Sequence, residues 1–240
     1  MWNNQIYNTR YSNTSHFIAS SETFYSQYSQ DRSLENTFFQ GFKNGIFMDV
    51  GSHDGVDINN TLFFETTHNW TGINIEPIKN VYDRLVTNRP NCININCAVS
   101  DTDGTAEFLW NVGYTEMLSG LKSGYDKQHV ERIEREQKIM GGESITIVVD
   151  TKTIESICDK HNIKHIHYLS IDVEGCEMKV LKSINFKKVF IDIIAFENNY
   201  NDKTPEEYLS QYGYVKLPHH YGDIFMIHKA SPFYKVLPNA

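Results

Sequence analysis

The chain has 240 residues, enough for one α/β domain with a complete core and short for two of ordinary size. Its formal net charge of −8 gives a long-range field of the wrong sign for general adhesion to nucleic acid or to an anionic membrane. Four cysteines with no Cys-x-x-Cys pair argue against a disulfide scaffold and against structural zinc of that kind, and no run approaches the roughly 20 apolar residues of a membrane span, so a soluble, cytoplasmic protein is expected.

Residues 1–30 are polar and without a clear period, which suggests an irregular arm. Residues 1–40 are therefore read as an arm or lid packed on one domain spanning 41–240. From there β-branched apolar runs alternate with amphipathic stretches: strand "GIFMDV", helix "INNTLFFETTH", strand "TGINIE", helix "IKNVYDRLVTN", strand "CININCAV". Alternation of this kind is the signature of βαβ units on a parallel sheet.

A short extended piece, "TAEFLW", precedes a less regular stretch at 111–144 whose charged segment "YDKQHVERIEREQKI" reads as a solvated helix. The pattern resumes with strand "SITIVVD", helix "TKTIESICDKH", strand "IHYLSIDV", helix "GCEMKVLKSI", strand "VFIDIIAFE" and helix "TPEEYLSQY". Two closing segments, "GYVKLP" and "GDIFMIHK", lack a helix-length insert and so predict an antiparallel hairpin. An α/β sheet ending in a hairpin is the class I methyltransferase (Rossmann-like) architecture: seven strands, mostly parallel. "IFMDV", "HYLSI" and "FIDIIAF" should be central, because they are the most continuously apolar.

The turn "DVGSHDG" after the first strand should bring backbone N–H groups and the start of the next helix to a ligand. Its G-x-x-x-G spacing lacks the middle glycine that admits a pyrophosphate, which favours a ligand without one. Glu76 ends the second strand 25 residues beyond Gly51, where a carboxylate can accept both hydroxyls of a ribose. A nucleoside ligand follows from the pair.

The segment from "SQYSQDRSLENTFFQ" through "CININCAVSD", with "TIVVDTKTIESICDKHNIKHIHYLSIDVEGCEMKVL" later, resembles FkbM-type S-adenosylmethionine-dependent methyltransferases over about residues 26–228. The resemblance implies that Asp49, Gly51 and Ser52 face the methionine part of the cofactor, Glu76 with Pro77 the ribose, and Ala98, Val99 and Asp101 the adenine. Asp172, Glu174 and Gly175 match the family's Asp-x-Glu-Gly signature, and Asp172 would serve cofactor and chemistry alike. Ser52 and His53 stand where many relatives have Ala-Asn.

Asp172 at one strand end and Glu197, Asn198 and Asn199 at the next could together hold Mg²⁺ or Mn²⁺; alternatively the acids only anchor the cofactor. Candidate bases are Asp172, Glu174, His53 and Glu197. Helix-end and strand positions should scatter His161, His165 and His167 into surface or packing roles, and His219 and His220 read as rim residues. The resemblance suggests an O-methyltransferase with a sugar or glycoconjugate acceptor. A nucleic-acid enzyme of the cap 2′-hydroxyl type and a catalytically silent cofactor-binding scaffold are the competing readings.

Overall fold

The computed structural model describes residues 23–198, 202–217 and 223–236; most of the expected arm, Asn199, His219 and His220 lie outside them. The chain runs through α1 (Gln30–Leu34), a π-helical turn (Glu35–Phe39), β1 (Ile46–Val50), α2 (Leu62–His68), β2 (Thr71–Ile75) and α3 (Lys79–Asn88). It continues through β3 (Ile93–Ile95), β4 (Ala98–Val99), β5 (Gly104–Gly113), β6 (Gly120–Leu121), α4 (Lys127–Met140) and β7 (Gly142–Lys152). Last come α5 (Ile154–His161), β8 (His165–Ile171), α6 (Glu177–Lys182), β9 (Phe190–Glu197), α7 (Thr204–Ser210), β10 (Tyr214–Lys216) and β11 (Asp223–His228).

Seven strands form one sheet in the order β10-β11-β9-β8-β1-β2-β3. All pairs are parallel except those of β11 with β9 and with β10. This is the class I methyltransferase fold, and the three most apolar strands are central as their composition predicts. Met48 and Val50 of β1 enter one core cluster and Phe47 the other, so the strand is covered on both faces. The second cluster is aromatic: Phe39 meets Phe64, Trp70 and Phe233 edge-on with centroids 4.7–5.3 Å apart.

Three expectations need correction. "CININCAV" is not one strand: β3 stays in the main sheet, while β4 turns away and pairs with β7 in a second sheet of order β4-β7-β5-β6. "TAEFLW" and "SITIVVD" are the middles of β5 and β7, which run antiparallel from Gly104–Thr151 to Gly113–Gly142. Exposure along β7 shows why: its first five residues are all solvated and alternation appears only toward its end, unlike a strand in a parallel α/β sheet. The helix expected from "INNTLFFETTH" begins only at Leu62, because Asn59 Oδ1 accepts the N–H groups of Thr61 and Leu62 and holds the preceding residues in a loop.

That loop is pinned from α3 by Arg89, which is fully buried. Its guanidinium pairs with Glu65 and donates to Gly55 O and Asn59 Oδ1, both at 3.0 Å, and to Thr61 Oγ1 at 3.2 Å. Asn59 and Thr61 in turn donate to Asp49 Oδ2, each at 2.9 Å. Breaking a buried pair on one side costs about 3–5 kcal/mol. Arg89→Met should therefore lower the urea unfolding free energy by about that amount; a loss under 1 kcal/mol would show that the network is not needed to hold the loop.

Candidate active site

The strand order reverses between β1 and β8, so the crevice outside their carboxyl ends is where this topology offers a ligand site. A cavity of about 490 Å³ lies there. Gly51 forms its floor with φ +86°, and a Cβ at this position would lie 1.9 Å from the Asp172 carbonyl oxygen. Only glycine allows the two strand ends to come this close. The N–H groups of Gly51 and Ser52 both donate to Ile75 O, at 3.0 and 3.1 Å. They therefore fasten the turn to β2, and α2 starts ten residues later, so neither serves a ligand in the manner expected from the turn alone.

Asp49, Gly51, Ser52, His53, Glu76, Pro77, Ala98, Val99, Asp172, Glu174 and Glu197 all line the cavity. Asp101 does not; it is exposed just after β4 and accepts from the Ser100 hydroxyl at 3.2 Å. Asn198 is also absent from the lining, because its amide is exchanged with the backbone of Asp202 at 2.8 and 2.9 Å. The acidic group that converges is Asp172, Glu174 and Glu197, whose carboxylate oxygens lie within 4.8 Å of one another. Glu174 is brought there by left-handed backbone, φ +54°, supported by Gly175 at +102°.

The second sheet and α4 supply what the sequence reading missed. Phe108 and Leu121 join Ile78, Cys97, Ala98 and Val99 in an apolar part of the wall, and Arg132 and Glu136 reach the cavity from α4. Helix α4 is thus more than a solvated segment, and it also buries His129 and Ile133. The clue was faint: one buried stripe in a helix otherwise full of charge.

His53 is held rather than free. Its Nε2 lies 2.9 Å from Glu116 Oε1, which also receives Arg84 at 2.7 Å. The histidines of β8 are together rather than scattered: His165 and His167 stack at 4.2 Å. Their rings serve packing, since His165 Nε2 meets Asp192 Oδ2 at 2.6 Å and His167 Nδ1 accepts the Ile46 N–H at 2.9 Å.

The electrostatics are one-sided: among the described residues the lining carries nine carboxylates against one arginine, Arg132, and one histidine, His53. Burial lifts Glu76 to about 8 against the pull of the Ile78 and His53 N–H groups. Burial and the neighbouring Glu197 raise both Asp172 and Glu174 well above the carboxylate range. Asp172 remains open to cavity solvent although protein surrounds it, so for this residue the like charges are the firmer cause. Asp223 rises to about 6, chiefly by burial.

A carboxyl whose folded value is raised binds its proton more tightly folded than unfolded, so stability falls as pH climbs from the unfolded to the folded value. For Glu76 that window runs from 4.5 to about 8. Without ligand, the thermal midpoint should drop across it, and Glu76→Gln should flatten the drop; parallel profiles for the two proteins would refute the assignment.

The site suits a ligand that brings donors and positive charge. Asn60 Oδ1 is a buried acceptor without a hydrogen-bond partner, and the Glu76 carboxylate faces the cavity beside the apolar wall. S-adenosylmethionine carries an ammonium, a sulfonium, two ribose hydroxyls and a flat adenine, which match those features.

The Methyltransferase FkbM domain model matches residues 49–216. No curated protein matches the sequence. Among solved structures, the methyltransferase FkbM from Methylobacillus flagellatus KT is 15% identical with a TM-score of 0.42, the match covering 78% of this chain and 44% of that one. This chain thus spans less than half the length of that protein. M. capricolum TrmK, solved with S-adenosyl-homocysteine, is 9% identical with a TM-score of 0.41, covering 82% and 66%. The precorrin-6y C5,15-methyltransferase from Geobacter metallireducens GS-15 is 8% identical with a TM-score of 0.44, covering 87% and 90%. With the family model spanning well over half of its length, the chain belongs to the FkbM family of S-adenosylmethionine-dependent methyltransferases.

Proposed function

We propose that the protein is an O-methyltransferase that places the methyl group on a hydroxyl of a sugar or glycoconjugate in the cytoplasm. The observation that carries this reading is the carboxylate cluster of Asp172, Glu174 and Glu197 facing the cavity beside the Gly51 turn. A neutral polyol suits such a wall. A phosphodiester chain does not, because the single lining arginine cannot offset nine carboxylates. Reduced thiols are consistent with a cytoplasmic setting, all four cysteines being free.

The bound cofactor supplies an activated methyl electrophile. The protein's tasks are to align the acceptor oxygen and to take its proton, of which alignment can contribute the larger share. Glu76 holds the ribose hydroxyls, and the apolar side chains from Ile78 to Val99 with Phe108 cover the adenine. Asp172, at the β8 end and touching the Gly51 turn, receives the proton of the acceptor hydroxyl. Gln27, Tyr28 and Gln30 of the amino-terminal arm also line the cavity, so the arm is read as part of the acceptor wall.

Two measurements test this reading. Calorimetry with S-adenosylhomocysteine should show Glu76→Ala binding about 10-fold or more weakly, as expected for losing hydrogen bonds to a charged group worth about 1.5–3 kcal/mol each. An unchanged dissociation constant would remove Glu76 from the ribose. With labelled S-adenosylmethionine at saturation and a panel of hexose, deoxyhexose and glycolipid acceptors, Asp172→Asn should slow transfer by about 10² to 10⁴-fold. Transfer to RNA but to no sugar would favour the nucleic-acid reading, and full activity of Asp172→Asn would displace it as base.

A further inference from the structure

We propose that Asp172, Glu174 and Glu197 form a binding site for one hard divalent cation, Mg²⁺ or Mn²⁺, that positions the acceptor hydroxyl. Three observations converge on it. The three carboxylate oxygens lie within 4.8 Å of one another, close to the roughly 4–5 Å that separates opposite oxygens around such an ion. Glu174, only 8% exposed, has Oε2 buried without a hydrogen-bond partner. Its neighbour His129 Nδ1 is 3.6 Å away, too far for a hydrogen bond. A buried acceptor of this kind is costly unless something fills its lone pairs.

The third observation is that the nearest protein cation acts on the cluster only through its field. Arg132, the one arginine of the lining among the described residues, spends its Nε on Glu136 at 3.1 Å, and its charge eases Glu174 without a hydrogen bond to Oε2. Three carboxylates from two strand ends and a left-handed loop thus converge with one arginine nearby and no cation bonded between them. Oxygen-only donors select hard ions over Zn²⁺ or Cu²⁺. Mg²⁺ and Mn²⁺ usually keep several water positions, which leaves room for one or two acceptor oxygens. Asn198, which strand-end position alone would include, is excluded by its bonds to Asp202, and Glu174 takes its place.

The positioning role rests on the methyl-transfer reading, whereas the ion site itself does not, so binding and activity are measured separately. Electron paramagnetic resonance titration of chelator-treated protein with Mn²⁺ should reveal one bound ion. Glu174→Gln and Glu197→Gln, both isosteric, should each weaken it at least 10-fold, while Glu131→Gln on the exposed face of α4 should not. Chelator should stop methyl transfer yet leave S-adenosylhomocysteine binding in place, and Mn²⁺ or Mg²⁺ should restore transfer. Mn²⁺ binding equal in wild type and in the Glu174→Gln, Glu197→Gln double variant would overturn the site. Chelator-independent binding of an amine-bearing acceptor that Glu174→Gln abolishes would also overturn it, and undiminished transfer in chelator would overturn the positioning role. If Mn²⁺ binds as described but no hydroxyl acceptor is methylated, the ion site stands and the hydroxyl reading fails.

Discussion

The site depends on a buried arginine. Arg89 is fully enclosed, and its donors gather the loop between the Gly51 turn and α2 into one hydrogen-bonded unit that ends on the Asp49 carboxylate. Desolvating a guanidinium is expensive, so the arrangement persists only because each nitrogen meets an oxygen. Asp49 is thereby committed: both of its side-chain hydrogen bonds run inward to Asn59 and Thr61. Its contribution to a ligand is to hold the floor in shape more than to reach out.

From that floor the rest of the cavity follows by topology. The reversal of strand order between β1 and β8 opens a crevice, and the missing Cβ of Gly51 lets the Asp172 carbonyl close on it. Carboxylates then collect at neighbouring strand ends, where the backbone of a parallel sheet stops and side chains turn toward the crevice. The second sheet and α4 complete the enclosure, adding Phe108 and Leu121 on one side and Arg132 and Glu136 on the other.

Much of this was legible in the chain. Apolar runs at the right intervals gave the three central strands, and Gly51 and Glu76 both line the cavity as their positions at strand ends suggest, because period and turn chemistry act locally. Other features were not local. The break between β3 and β4 follows from β4 pairing with β7, more than fifty residues later, which no window around "CININCAV" contains. Nothing in the sequence around Arg89 marks the four partners that surround it. His165 and His167 share one side of β8 by their spacing, yet only the approach of β9 puts Asp192 against them.

The sequence by itself determined the class of fold and two residues of the cavity wall, Gly51 and Glu76, since a glycine that must bend and an acid at a strand end are properties of single positions. Tertiary structure decided which acids meet. Asp172 and Glu197 were foreseeable from their strand ends, but Glu174 enters through a left-handed turn and Asn198 leaves through its bonds to Asp202. Whether a carboxylate faces a cavity or its own backbone depends on side-chain competition for hydrogen bonds a few residues away, and that competition is settled only when the loops pack.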